Sequence, residues 1–143
     1  MNILNYWSIV FGGDSWQELL DHKPNVAGFP QLDRNVQAIE PGDHLLCYQS
    51  GVSRWIGALK VVSKVREDYT RIWRDGPYPQ RVRVEVVLAL TPETGVSIHQ
   101  LRDQLMIYKK WPAFFRGYPR NIAETDGKVI LKALQEAKNR TTE

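Results

Sequence analysis

The sequence contains one cysteine and no long apolar run. Cys47 lies in the short apolar stretch at residues 45–48, and a lone thiol cannot form an internal disulfide, so we expect it to be buried in a reducing compartment. No apolar run approaches the roughly 18 residues that a membrane-spanning helix needs. Residues 1–6 lack the basic and long apolar regions of a signal peptide. We therefore expect a cytoplasmic protein that does not enter a membrane.

The sequence also lacks the residue patterns that mark most catalytic and metal sites. Its three histidines, His22, His44 and His99, are far apart and show no metal-ligand spacing. It has no Ser–His–Asp order, no glycine-rich phosphate loop and no close acidic pair on a well-defined element. We therefore predict no catalytic residue, no metal site and no cofactor, and we interpret the chain as a binding protein rather than an enzyme.

The composition that is present indicates one folded domain over residues 1–143. The apolar fraction is 43%, the charged fraction is 24% and there is no low-complexity tract. A chain of this length can bury roughly two thirds of its unfolded surface. Disorder and a multidomain arrangement are therefore not expected.

The spacing of apolar residues predicts several strands and a C-terminal helix. Residues 5–11 and 44–49 are typical of buried strands, and residues 55–66 and 81–90 alternate with a period of two. A short helix follows Gly12 and Gly13, residues 26–30 are expected to form a loop, and an apolar stripe predicts a last helix that ends near Lys138. The fold class is therefore α+β, with a curved, mostly antiparallel β-barrel and helices covering its ends.

Two loop segments, residues 71–84 and 111–120, alternate aromatic rings with arginines among prolines and glycines. Rings can stack on bases, and guanidinium groups pair with phosphates or base edges. Trp73 has Ile72 as its one apolar neighbour in this loop, so both a base-stacking wall and packing over the barrel end remain open. As a loop ring it should contribute little to the core. We then expect Trp73→Ala to weaken base binding by about 1–3 kcal/mol with little change in melting temperature.

The charge is distributed unevenly along the chain. Residues 1–50 carry a net charge of −4 and residues 51–120 a net charge of +7, although the whole chain carries only +3. Basic surface attracts polyanions by steering and by counterion release. Many ordinary domains have charge this uneven, so the pattern supports nucleic-acid binding without deciding it.

Seven motifs in order resemble the EVE domain, a member of the PUA-like superfamily that includes the YTH readers of methylated adenine. They are YWSI at 6–9, SW at 15–16, NVAGFP at 25–30, IEPGDHLLCY at 39–48, IGA at 56–58, YPQRVRV at 78–84 and FFRGYPRNI at 114–122. The resemblance spans nearly the whole chain. It implies a curved PUA-like barrel whose open face holds a pocket for one flipped, often modified base of DNA or RNA. It also implies that any cleavage would need a nuclease or another protein as partner.

The residues that the resemblance assigns to the base pocket are Trp16, Ala27, Gly28, Phe29, Tyr48 and Trp73. From the sequence pattern alone, Trp16 fits the core better, and Tyr48 could reach a pocket rim. Relatives often place Trp where this chain has Ala27, and losing that wall should cost about 1–3 kcal/mol of base binding. Phe29 is the candidate replacement, from another angle.

We predict phosphate or backbone contacts from Arg74, Arg116 and Arg120, which lie in the two loop segments. Lys60, Lys64, Arg81 and Arg83 fall on outward strand positions, where solvated surface is expected. Two other functions remain open. One is a binder or enzyme for a small nucleoside-like ligand, and the other is a protein-interaction module. Strong salt dependence of binding would favour nucleic acid over both.

Overall fold

The computed structural model describes residues 4–110 and 119–141. The strands in this part of the chain are β1 (Tyr6–Phe11), β2 (Val26–Phe29), β3 (His44–Gln49), β4 (Arg54–Val61), β5 (Arg66–Glu67), β6 (Gln80–Ala89), β7 (Val96–Ser97) and β8 (Arg120–Ile122). The helices are α1 (Ser15–Asp21), α2 (Arg34–Ala38) and α3 (Glu124–Thr141), with short 3₁₀ helices at Ile98–Leu101 and Met106–Lys110.

The strands form one curled sheet that resembles half of a barrel. Its order is β2-β6-β4-β3-β1-β8, while β5 pairs with β6 and β7 with β4. The β1–β3 pair is parallel and the other pairs are antiparallel. This architecture confirms the predicted curved, mostly antiparallel α+β fold.

Hydrophobic residues cover both faces of the sheet. Trp7, Ile9 and Phe11 point from β1 into the hollow of the half-barrel, where they join a buried cluster with residues of β2, β4 and β6. Tyr6 and Val10, at the alternate positions, pack on the opposite face with α3. Because successive side chains of a strand point to opposite faces, β1 contributes side chains to both hydrophobic cores.

A buried carboxylate ties the start of β1 to the turn before β3. Asp43 is fully buried and accepts hydrogen bonds from Trp7 Nε1 at 2.9 Å and from the backbone amides of Asn5 and Glu40. The turn before it depends on Gly42, whose φ of +97° favours glycine. These contacts hold β1 beside β3.

Strand β2 corrects a sequence expectation. Residues 26–30 were expected to form a loop, yet Val26–Phe29 pairs antiparallel with β6. Ala27 and Gly28 have low strand propensity, and their partners lie more than 50 residues away in sequence. The strand therefore depends on β6 rather than on its own residues.

Helix α3 is the longest helix of the fold and covers the outer face of the sheet through Ile130, Leu134 and Ala137. It begins at Glu124, and buried Asp126 in its first turn accepts hydrogen bonds from the amides of Met106 and Ile107. Within residues 4–110 and 119–141, no helix has the length and apolar character of a membrane span.

Candidate functional site

A pocket lies between the outer edges of β1 and β2, where the curled sheet leaves a seam. Its volume is about 420 Å³ when the open solvent at its mouth is included, and about 50 Å³ of this space can hold the centre of a water molecule. The described residues that line it are Ile9, Val10, Phe11, Gly12, Ser15, Ala27, Gly28, Phe29, Trp73, Asp75 and Tyr78.

Trp73 forms one wall of this pocket and is also part of the core. Its side chain is only 3% exposed, and its Nε1 donates to the carbonyl of Ser15 at 3.2 Å. The ring lies against Gly28, because a Cβ there would come within 2.6 Å of Trp73 Cζ3. The expectation that this loop ring contributes little to the core is therefore wrong, since the loop folds back over β2.

Tyr78 supplies a second ring that the sequence interpretation missed. Its ring centre lies 5.6 Å from that of Trp73, and the two planes are perpendicular. The hydroxyl donates to Asp75 Oδ2 at 3.0 Å. Tyr78 has a φ of +40°, a left-handed conformation that costs a non-glycine residue about 1–3 kcal/mol. Its position between Pro77 and Pro79 was the signal that could have identified it.

Arg81 holds this loop in place. Its side chain was expected on a solvated face, yet the residue is 3% exposed. Its guanidinium donates to the carbonyls of Thr70, Pro77 and Tyr78, the last through Nε at 3.1 Å. Nη1 lies 3.6 Å from Asp68 Oδ1. Arg81 is buried because the loop at residues 68–79 covers the end of β6, which the alternation within β6 could not predict.

The backbone of Gly28 faces the pocket seam rather than β6. The carbonyl of Asn25 accepts from the Val84 amide, so alternate residues of β2 bond to β6 in the same way. Ala27 and Phe29 have the same parity as Asn25, so their backbone N–H and C=O groups also point towards β6. The N–H and C=O of Gly28 consequently point away from β6.

The backbone of Val10 faces the same seam from the other side. The carbonyls of Asn5 and Phe11 point towards β3, where they accept hydrogen bonds from the amides of His44 and Ser50. By alternation, Val10 directs its polar groups away from β3. Among the described residues, the pairing of β1 with β8 ends at Ser8 and Arg120, and Val10 lies two residues further along β1. The seam is therefore flanked by backbone donors and acceptors from both strands.

Two predicted pocket residues lie elsewhere, which corrects their placement. Trp16 is 3% exposed, donates from Nε1 to the Leu90 carbonyl and packs on Gly57. Tyr48 belongs to the core on the opposite face of the sheet, with its ring 5.3 Å from Trp55. Alternation within β3 turns Tyr48 away from the pocket. The structure thus brings together Ala27, Gly28, Phe29 and Trp73, without Trp16 and Tyr48.

The pocket mouth is acidic on one side. Among the described residues that line the pocket, Asp75 alone carries a charge. An adjoining groove adds Asp14 and Glu18, and Arg74 contacts Glu18 Oε2 through its amide at 3.2 Å and its Nε at 3.9 Å. The Arg74 side chain is 88% exposed, so this ion pair is weak. A phosphate contact from Arg74 stays a prediction.

Exposed arginines flank the site on two other sides. Arg66 of β5 is the pairing partner of Arg81 of β6, and Arg83 is the next residue of β6 on the same face as Arg81. Beyond the β1 edge, Arg120 is exposed on β8, close to exposed Arg34, because Asn35 Nδ2 donates to the Pro119 carbonyl at 2.8 Å. Arg116, the third predicted phosphate contact, lies outside the described residues. The roles of Arg116 and Arg120 stay predictions.

Cys47, the single thiol of the chain, lies in the sheet core. Burial raises its pKa well above the ordinary value, so the unreactive protonated thiol is favoured. In the described ranges, no three His, Cys, Asp or Glu side chains come together in an arrangement that could hold a metal ion.

Comparisons with solved structures show the same fold in several proteins of low sequence identity. The YTH domain of Zygosaccharomyces rouxii MRB1, solved in complex with N6-methyladenosine RNA, has a TM-score of 0.68 and 16% identity, with 94% of this chain and 87% of that chain covered. Rpa0253 from Rhodopseudomonas palustris has a TM-score of 0.66 and 14% identity, covering 93% and 94%. A hypothetical protein from Leishmania major has a TM-score of 0.61 and 15% identity, covering 95% and 98%.

No curated protein matches this chain. The family model described as the EVE domain matches residues 5–133, which is most of the chain. This match agrees with the order of the seven motifs and with the curled sheet. The protein therefore belongs to the EVE domain family.

Proposed function

We propose that this protein is a non-catalytic nucleic-acid-binding module that accepts one flipped base in the pocket between β1 and β2. The observation that carries the proposal is the pair of perpendicular rings, Trp73 and Tyr78, at a pocket that residues of β1 and β2 also line. Aromatic surface stacks on bases, and backbone groups can read a base edge. The YTH domain solved with N6-methyladenosine RNA supports the proposal through its similar fold.

A base in this pocket would stack against an aromatic ring and meet polar groups at its edge. Tyr78 is half-buried and offers aromatic surface that Ala27 lacks, beside the buried wall of Trp73. Gly28 and Val10 would offer N–H donors and C=O acceptors from opposite sides of the seam. Each stacked ring contributes about 1–3 kcal/mol in comparable sites.

The strand that carries the base would run over the basic flanks of the pocket. Arg66 and Arg83 lie on one side and Arg34 and Arg120 on the other, whereas in the groove beside the mouth Asp14 and Glu18 offset the charge of Arg74. Three to five phosphate contacts would produce a log–log salt slope of about −2 to −4 for a single strand.

Fluorescence anisotropy with labelled single-stranded and duplex DNA and RNA, plain and methylated, tests this proposal at two salt concentrations. We expect salt-dependent binding that weakens when Arg83→Ala and Arg120→Ala are combined. The matched control combines Lys132→Ala with Arg140→Ala, which removes two exposed charges from α3. No binding to any oligonucleotide at low salt, together with tight binding of a free nucleoside, would replace the proposal with a small-ligand site.

A further inference from the structure

One carboxylate, that of Asp75, lies at the pocket mouth. In the sequence, Asp75 stands between the two aromatic residues Trp73 and Tyr78. Asp75 lies two residues after Trp73 and three before Tyr78, and all three line the pocket. The Tyr78 hydroxyl donates to Asp75 Oδ2 at 3.0 Å, which restrains the carboxylate relative to that ring. Within the described part of the chain, this is the one hydrogen bond that Asp75 makes, through one of its two oxygens.

A carboxylate can only accept hydrogen bonds, and this limits which base edge it can meet. A guanine presents two adjacent N–H donors on its Watson–Crick edge. Adenine and cytosine each present an amino donor beside an acceptor nitrogen. Thymine and uracil present one donor between two carbonyl oxygens, and those oxygens would face the carboxylate without a proton.

We infer that Asp75 is the specificity-determining residue of the base pocket and that it selects bases by their N–H donors. Guanine is preferred, adenine and cytosine follow, and thymine or uracil bind least well. This inference rests on the proposed function, and it adds the class of base that the pocket accepts.

Arg81 does not oppose this selection, although its guanidinium carbon lies 5.5 Å from the centre of the Trp73 ring. Its charge is balanced by Asp68 and enclosed by three carbonyls. Asp75 therefore remains the charged group that lines the pocket among the described residues.

The test uses four single-stranded oligonucleotides of thymine that differ only in a central guanine, adenine, cytosine or thymine. Wild-type protein should bind the guanine strand about tenfold more tightly than the all-thymine strand, the size expected for one or two hydrogen bonds to a charged group. Asp75→Asn keeps the side-chain shape and introduces an amide donor. It should reduce the guanine preference to about twofold or less.

Asp14→Asn is the matched control because it makes the same change in charge beside the pocket but does not line it. It should strengthen binding of all four strands alike and keep their order. Equal wild-type affinity for all four strands, or an unchanged guanine preference in Asp75→Asn, would overturn the inference while the proposed function stands. Failure of every strand to bind at low salt would instead defeat the proposed function.

Discussion

The guanidinium carbon of Arg81 lies 5.5 Å from the centre of the Trp73 ring. This cation–π contact joins β6 to the loop that carries the pocket rings, and the loop itself contains no helix or strand between Glu67 and Gln80. Arg81 also donates hydrogen bonds to three carbonyls of this loop, which hold the loop against β6. The shape of the pocket therefore depends on a residue that does not line it.

We predict that Arg81→Met loosens the loop at residues 68–79. The change removes the donors of three carbonyls and the partner of Asp68, so the free energy of unfolding should fall by about 1–3 kcal/mol. Hydrogen exchange should speed up in this loop, and oligonucleotide affinity should fall. Arg83→Met, two residues along β6 and exposed, is the control for stability and hydrogen exchange. Equal exchange rates in the two variants would show that Arg81 does not anchor the loop.

We predict that Trp73→Ala reduces both stability and binding. Because the ring is buried and hydrogen bonded, the free energy of unfolding should fall by about 3–5 kcal/mol in urea denaturation. Binding by the remaining folded protein should weaken by a further ~1–3 kcal/mol.

Trp16→Ala separates these two effects, because Trp16 is equally buried but lies outside the pocket. It should destabilise the fold by a similar amount and leave the affinity of folded protein unchanged. If both variants bind as wild type once folding is corrected for, Trp73 is a core residue alone.

We predict that Gly28→Ala distorts the pocket. The added Cβ would lie 2.6 Å from Trp73 Cζ3 and 2.8 Å from the Tyr78 carbonyl oxygen, so the ring and the loop must move. Overpacking of this kind costs about 1–3 kcal/mol of stability. Gly12→Ala lines the same pocket but meets no atom closer than 3.4 Å, so it should stay within about 0.5 kcal/mol of wild type. Thermal denaturation of the two variants provides the comparison, and equal losses would contradict it.

We predict that His44 makes the fold less stable in mild acid. Partial burial, and then the charge of Lys60, lower its pKa below the ordinary value of 6.5. The unfolded chain therefore takes up a proton first, and stability falls as the pH drops from about 6.5 through the folded pKa. Above 6.5 the group contributes no pH dependence.

His44→Phe is the test, because it preserves stacking on Tyr6, whose ring lies 5.3 Å away, and cannot titrate. Its melting temperature should change less than that of wild type between pH 7 and 5.5. Asp68 and Glu124 act at lower pH, since hydrogen bonds from Thr70 and Lys128 lower their pKa values from 3.8 and 4.5. Parallel pH profiles for wild type and His44→Phe would contradict the prediction.

Much of the fold could be predicted from the amino-acid sequence. The alternation in residues 81–90 predicted β6, and the turn at Gly42 follows from the Pro-Gly pair. The ordered motifs indicated the family. These features are local, because strand period and turn conformation depend on residues a few positions apart. The concentration of rings and arginines in residues 71–84 was also visible, and it contains Trp73, Tyr78 and Asp75.

Which of these side chains come into contact depends on long-range folding of the chain. Gly28 contacts Trp73 across 45 positions of sequence, and that contact requires β2 to pair with β6 and the loop to fold back. The same folding buries Arg81, an arginine that alternation assigns to solvent. Trp16 and Tyr48 leave the pocket because helix orientation and strand parity turn them into the cores. Chain curvature and long-range pairing set these positions, and neither is encoded in the spacing of neighbouring residues.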